Sequence, residues 1–226
     1  MASLLDDLVA RIDGLRALLS GRVLIGIAGA PGSGKSTLAD SLVNRLAGAR
    51  PDGLAPGVPS WVDSVVAHVP MDGFHLADVE LARLGLSDRK GAPETFDPVG
   101  YVYLLRRIVA GEQVWAPGFE RVLEQPIAQS LPVTARTNVV ISEGNYLLLP
   151  GPAWEPLREL FTEVWFCKVG EEVRRERLIT RHVRFGRSPD AAREWVQRSD
   201  QRNAAMVAAT EASADLVIDV TDLAPP

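Results

Sequence analysis

The stretch RVLIGIAGAPGSGKST, residues 22–37, decides the fold of this chain. Its first half is a short apolar run with β-branched residues, the composition of a strand buried on both faces of a parallel sheet. Its second half, Gly29-Ala30-Pro31-Gly32-Ser33-Gly34-Lys35-Ser36, fits G-x-x-x-x-G-K-[ST] without a gap. Glycines let the backbone wrap closely round a phosphate, with N–H groups pointing inward as donors. A helix starting near Lys35 adds its positive N-terminal end. In that setting Lys35 reaches the β- and γ-phosphates, Ser36 holds Mg2+ and Thr37 donates to the α-phosphate. A plain glycine turn has no use for a lysine and a hydroxyl at this spacing. The segment therefore predicts bound ATP or GTP with magnesium, and says nothing yet of what receives the phosphate.

Outward from this stretch, apolar strands alternate with helical periodicity. Leu4, Leu5, Leu8, Ile12, Leu15, Leu18 and Leu19 recur at helical spacing and predict an amphipathic helix over 3–20, with Gly21 to end it. KSTLADSLVNRLAG is helical, ARPDGLAPGVPS is a Pro/Gly-rich loop, and VVAHVP is a second strand ended by Pro70. LADVELARLG and YVYLLRRIVAG follow as helices with loop between them, and TNVVISEG as a buried strand. PAWEPLRELF is expected to be helical, EVWFCKV a strand, EEVRRERLITRHVRFG a helix, SPDAAREWVQRSDQRNAAMVAAT one long helix capped by Ser188, and ADLVIDV a closing strand. This order predicts an α/β fold of the P-loop NTPase type: a parallel sheet with helices on both faces and a helical lid near 171–190. No linker divides residues 1–226, so one domain is expected.

Bulk properties narrow the partners. The 226 residues are 46% hydrophobic and 23% charged, enough to bury a core, and the formal net charge is −5. An acidic chain is a poor match for nucleic acid, which needs a basic footprint. Cys167 is the single cysteine, so no intrachain disulfide is available, and EVWFCKV reads it as a core residue. No apolar run approaches the roughly 18 residues of a membrane span, and Asp6, Asp7 and Asp13 are out of place in a targeting segment. A cytoplasmic protein is expected, with no membrane or nucleic-acid partner; homodimerisation is left open.

The acceptor side begins at VPMDGFHL. Ligands of parallel sheets bind beyond the carboxyl ends of strands, and Asp72 sits just there. A carboxylate beside a γ-phosphate can accept the proton of an attacking hydroxyl, although Asp-Gly is also a common turn. His75 either contacts substrate or caps the next helix. VVISEG has the form of a strand ending in a metal-orienting carboxylate, Glu143. Either Asp72 or Glu143 can serve as the proton acceptor. Arg174, Arg177, Arg181 and Arg184 are spaced to share one helix face: a solvated face with Glu171 pairing to Arg175, or a lid clamping the transferring phosphoryl group.

Taken together, the P-loop, MDGFH, RKGAPETFD, SEGNY and RLITRHVRFGR resemble the P-loop kinases related to uridine kinase, phosphoribulokinase and type I pantothenate kinase. DGF followed by RKGAPETFD is similar to the pantothenate branch and to small bacterial relatives described as fructose-transport-associated kinases. The matched motifs run from Gly29 to Arg187. The resemblance implies an ATP-dependent kinase acting on a hydroxyl of a small metabolite: a sugar, vitamin or nucleoside-like compound. It maps the proton acceptor to Asp72, the second carboxylate to Glu143 and the lid arginines to Arg177 and Arg181. It also puts Phe74, His75, Arg89 and Lys90 near the acceptor. In WAPGFERVLEQP, the place of an acceptor-site segment, stand Phe119, Glu120 and Arg121. The tyrosine and histidine of uridine kinases are missing there, and the chain is shorter than pantothenate kinases, so neither substrate is carried over. A GTPase switch would need an Asn/Thr-Lys-x-Asp motif, which the sequence lacks. An ATPase coupled to motion remains the rival reading.

Overall fold

The computed structural model describes residues 2–48, 62, 64–221 and 223. The Pro/Gly-rich stretch 49–60, expected as a loop, lies outside them. Five strands form a parallel sheet in the order β2 (Val66–His68), β5 (Val139–Gly144), β1 (Val23–Ala28), β6 (Glu163–Lys168), β7 (Leu216–Asp219). Every residue of β1 and β5 is buried. That is why these strands read as continuous apolar runs rather than alternating ones.

Helices flank the sheet: α1 (Ala2–Leu18), α2 (Lys35–Ala47), α3 (Asp78–Leu84), α4 (Pro98–Val109), α5 (Glu171–Arg184), α6 (Pro189–Trp195) and α7 (Gln201–Ala208). Leu8 and Ile12 of α1 and Leu38, Leu42 and Val43 of α2 join the core around Ile25, Ile27, Ile141 and Trp165. Register sets the site. Ile27 of β1 is level with Glu143 of β5, and His68 of β2 with Ile141. The P-loop, Glu143 and the segment carrying Asp72 therefore leave the sheet side by side at its carboxyl edge.

Three features depart from the sequence expectation. PAWEPLRELF forms no α-helix, only a 3-10 turn at Glu155–Leu157. Pro156 lacks an N–H, and the i→i+3 bonds from Leu157 to Trp154 and from Leu160 to Leu157 tighten the backbone while Trp154, Leu157 and Phe161 are driven into the core. The long helix after Ser188 is capped as expected, with the Ser188 hydroxyl accepting from Ala191 N–H at 3.3 Å, but a π-turn at Val196–Asp200 interrupts it. The third is a β-hairpin, β3 (Val114–Glu120) and β4 (Gln125–Val133), whose register slips between Ala116 and Gly118. It packs on the 3-10 turn Met71–Phe74. A Cβ at Gly73 would lie 2.2 Å from the Pro117 carbonyl oxygen. Gly73 is thus required by close approach of the hairpin, beyond any need of the turn itself.

Candidate active site

The phosphate loop is clamped from behind by α5. Gly32 has φ 78°, and a Cβ there would stand 2.7 Å from Leu178 Cγ and 2.9 Å from the Arg174 carbonyl oxygen. Arg174, only 3% exposed, donates to the Pro31 carbonyl at 3.1 Å and to Gln201 Oε1 at 2.5 Å, and pairs with Glu171. Lys35 opens α2 and is buried; its ammonium donates to the Ala30 carbonyl at 3.1 Å. Burial lowers its pKa, while Glu143 and Asp72 pull it back up. Ser33 is buried with its hydroxyl lacking any partner among the described residues. An orphaned hydroxyl, a buried ammonium and the free N–H groups that begin α2 form a donor set that suits a phosphate chain. Gly29, Ala30 and Gly34 complete the loop, and Thr37 is half-buried on the first turn of α2.

Two carboxylates face this loop with opposite character. Ser36 Oγ donates to Glu143 Oε1 at 3.2 Å. Burial, and then the negative charge of Asp72, raises the Glu143 pKa against the pull of Lys35. Asp72 Oδ2 accepts from Arg121 Nη2 at 2.6 Å. Burial pushes the Asp72 carboxyl up, but Arg121, His75, Lys35 and Arg181 outweigh it and bring it down to about 2. No group of three His, Cys, Asp or Glu side chains suited to a metal occurs among the described residues. Ser36 and Glu143 suit a hard cation only if phosphate oxygens and water supply the remaining ligands, the usual habit of Mg2+. Behind both carboxylates runs a buried chain of hydrogen bonds: Tyr101 hydroxyl to Ser142 Oγ at 2.5 Å, and Ser142 Oγ onward to the Val69 carbonyl. It ties β5, one residue before Glu143, to the segment leading into Asp72.

One cleft of about 400 Å³ contains Lys35, Ser36, Asp72, Glu143, Lys90 and Arg181, a size that suits a small ligand. Pro31, His75 and Arg121 also border it. His75 Nδ1 donates to the Asp72 carbonyl at 2.8 Å and its ring packs 4.0 Å from Phe96 and 4.9 Å from Phe119, centre to centre. Burial lowers its pKa. Lys90 pairs with Asp78 at 2.6 Å and also donates to the Glu124 carbonyl.

Other expected site residues are elsewhere. Phe74 packs on Tyr101 at 4.9 Å, Arg89 pairs outward with Glu94, and Glu120 accepts from Val122 N–H in the hairpin turn; none of the three borders the cleft. The arginine face of α5 also divides. Arg174 anchors the loop, and Glu171 pairs with it; the i,i+4 bond to Arg175 that the solvated-face alternative called for is not what Glu171 makes. Arg177 donates to the carbonyls of Thr221 and Leu223 at 3.1 and 2.8 Å, and its buried Nη1, without a partner among the described residues, lies beside Gly34 of the phosphate loop. Arg181 alone of the four borders the cleft. Burial and the nearby Arg121 lower its pKa.

Sequence reasoning missed the far wall. His182 Nε2 meets Asp200 Oδ2 at 2.8 Å, Asn203 Nδ2 donates to the Gly91 carbonyl at 3.3 Å, and the Arg187 guanidinium stacks 4.1 Å from the Trp195 ring. Asp200 and Asn203 stand three apart, a spacing that puts both on one helix face and was open to notice. The π-turn that aims them at the cleft leaves no periodic mark.

No family model matches the chain. A candidate uridine kinase of Schizosaccharomyces pombe, C227.14, is 32% identical over 209 residues, covering 87% of this chain and 83% of that protein. A candidate fructose transport system kinase from Silicibacter sp. TM1040 is 36% identical in sequence with a TM-score of 0.76, covering 93% of this chain and 98% of that one. YFH7 of Saccharomyces cerevisiae, a candidate P-loop kinase, shares the fold at a TM-score of 0.72, 20% identity and coverage of 97% and 98%. With a phosphate loop, two strand-end carboxylates and an arginine-bearing helix meeting in one cleft, the chain belongs to the family of uridine-kinase-like, ATP-dependent P-loop kinases.

Proposed function

We propose that this protein transfers the γ-phosphoryl group of ATP to a hydroxyl of a small metabolite, with Asp72 as the proton acceptor. The observation that carries the proposal is the shared cleft: Asp72, ionised and fixed by Arg121, faces the same 400 Å³ space as Lys35 of the phosphate loop. A switch that only hydrolyses nucleotide has no use for the part of the cleft that extends beyond its carboxylate.

In this reading Lys35 neutralises the β- and γ-oxygens, and Arg181 stabilises charge on the moving phosphoryl group. Arg177 does not border the cleft, but its bonds to Thr221 and Leu223 hold it beside the phosphate loop with Nη1 free for an anion there. Ser36 and Glu143 would hold Mg2+, which when bound supplies charge neutralisation between the β- and γ-phosphates. Asp72 has the pKa of a weak base, which suits a loose transition state in which the hydroxyl gives up its proton late. Its work before that moment is to orient the hydroxyl.

The test is ATP turnover with and without a panel of sugars, polyols, hydroxy acids, vitamins and nucleosides, with direct detection of the phosphorylated product. Slow hydrolysis alone and a large acceleration by one class of acceptor is the expected result. Turnover unchanged by every acceptor, with inorganic phosphate as the only product, would overturn the kinase reading in favour of a plain nucleotide hydrolase.

A further inference from the structure

Resting on that kinase reading, we infer that the acceptor carries an anionic oxygen group, carboxylate or phosphate ester, a few bonds from the hydroxyl that is phosphorylated, and that Arg121 is the residue that selects it.

Arg121 stands in the turn between β3 and β4, and its guanidinium lies 5.0 Å from the Phe119 ring centre. One of its nitrogens, Nη2, bonds Asp72 Oδ2; among the described residues no bond is made by Nε or Nη1, nor to Asp72 Oδ1. The pair therefore keeps two open edges toward one cleft: a carboxylate oxygen for a hydroxyl donor and N–H groups for an anion. A molecule that uses both must hold its hydroxyl and its charge close together, because the two protein groups are bonded to each other.

Most other charges in this half of the cleft are committed to one another. Asp72 is committed to Arg121 and Asp200 to His182. Arg181 and Arg187 form no ion pair or hydrogen bond from their side chains among the described residues, and Glu124 and Glu143 are the acids of the cleft without an ion-pair partner there. With Lys35 and Arg181 given to the transferring phosphate, Arg121 and Arg187 remain to face the acceptor, while Lys90 is already paired with Asp78. A neutral acceptor leaves the open N–H edge of Arg121 without a charged partner. A planar, forked guanidinium set beside a reacting centre matches carboxylate or phosphate in two-point contact.

Matched probes that differ only in the charged group test the inference: gluconate against glucitol, and glycerate and glycerol 3-phosphate against glycerol. Two quantities are measured for each, binding to the protein loaded with a non-hydrolysable ATP analogue, and kcat and KM for transfer from ATP. A hydrogen bond to a charged group supports a preference of about ten- to hundredfold for the charged twin, seen in binding and in KM. The carboxylate and phosphate arms separate the two anion sources. Arg121→Gln should collapse the preference, read as the ratio of charged to neutral twin in binding and in KM, while kcat falls for both twins because Arg121 also fixes Asp72. Arg121→Lys, which keeps the charge and loses the fork, should fall between, and serves if the glutamine variant folds poorly. Equal or better binding of the neutral twins, no binding of any charged probe, or a preference that survives in Arg121→Gln overturns the inference. Charged probes that bind selectively without being phosphorylated uphold it and count against the kinase reading alone.

Discussion

Asp72→Asn separates chemistry, binding and folding in one variant. Asparagine keeps the shape and can still accept one bond from Arg121 through its amide oxygen, but it takes no proton at neutral pH and presents N–H groups where the acceptor hydroxyl must donate. Loss of a general base costs about 10²–10⁴-fold, so kcat with the accepting metabolite should fall within that range, toward its low end if the transition state is loose. ATP is held by the P-loop backbone and Lys35, so its affinity should change by less than about tenfold. The folding cost follows from linkage. Asp72 is lowered to about 2 in the folded chain, against roughly 3.9 when unfolded, which corresponds to at most about 2.5 kcal/mol; Arg121 is 39% exposed, so solvent screening reduces this to about 1–2 kcal/mol. A group whose pKa is depressed by folding stabilises above its unfolded pKa and loses that contribution as pH falls through the folded value. The wild-type advantage should therefore be complete above about pH 4 and fade toward pH 2. Paired denaturant melts over that window measure it beside kcat and nucleotide titration. If kcat is unchanged while acceptor affinity drops, Asp72 only orients and Glu143 is the next candidate base. A stability difference that grows as the pH falls refutes the account of the Asp72–Arg121 pair.

Lys35→Ala should cost at least about a hundredfold in transfer, the scale for loss of one preorganised charge at a developing oxyanion, and rapid-quench single turnovers would show it. Gly32→Ala should destabilise by about 1–3 kcal/mol and weaken ATP binding, because its φ of 78° and the 2.7 Å approach to Leu178 leave no place for a methyl group; a melt and a nucleotide titration equal to wild type would refute the packing argument. Hydrogen exchange in the region expected as a lid should slow on joint binding of nucleotide and acceptor only from about Arg181 onward, since Arg174 already pins the start of α5 to Pro31. Uniform protection of 171–190 in the free protein would remove the moving lid altogether.

How much of this was legible beforehand differs by element. Residues 22–37 made the fold and the phosphate loop legible, because such a loop is local: its donors are its own backbone, and the strand before it and helix after it are written in consecutive residues. That Asp72 and Glu143 border one cleft was legible for a related reason, since strand ends in a parallel sheet converge wherever the strands themselves are recognised. The arginines were visible as a face of α5, yet their roles were not. Arg174, Arg177 and Arg181 share a stripe of helix, but one meets the Pro31 carbonyl, one the carbonyls of Thr221 and Leu223, and one the cleft. Helical spacing fixes direction around an axis and not what the neighbouring segment offers. The hairpin of β3 and β4 was hidden because Pro117, Gly118, Pro126 and Pro132 mask its alternation. Its consequence, Arg121 bonded to Asp72 across 49 positions of sequence, belongs to tertiary structure alone: no local pattern records a contact between a hairpin turn and a strand end, and that contact sets both the charge state of the carboxylate and the chemistry of what it can meet.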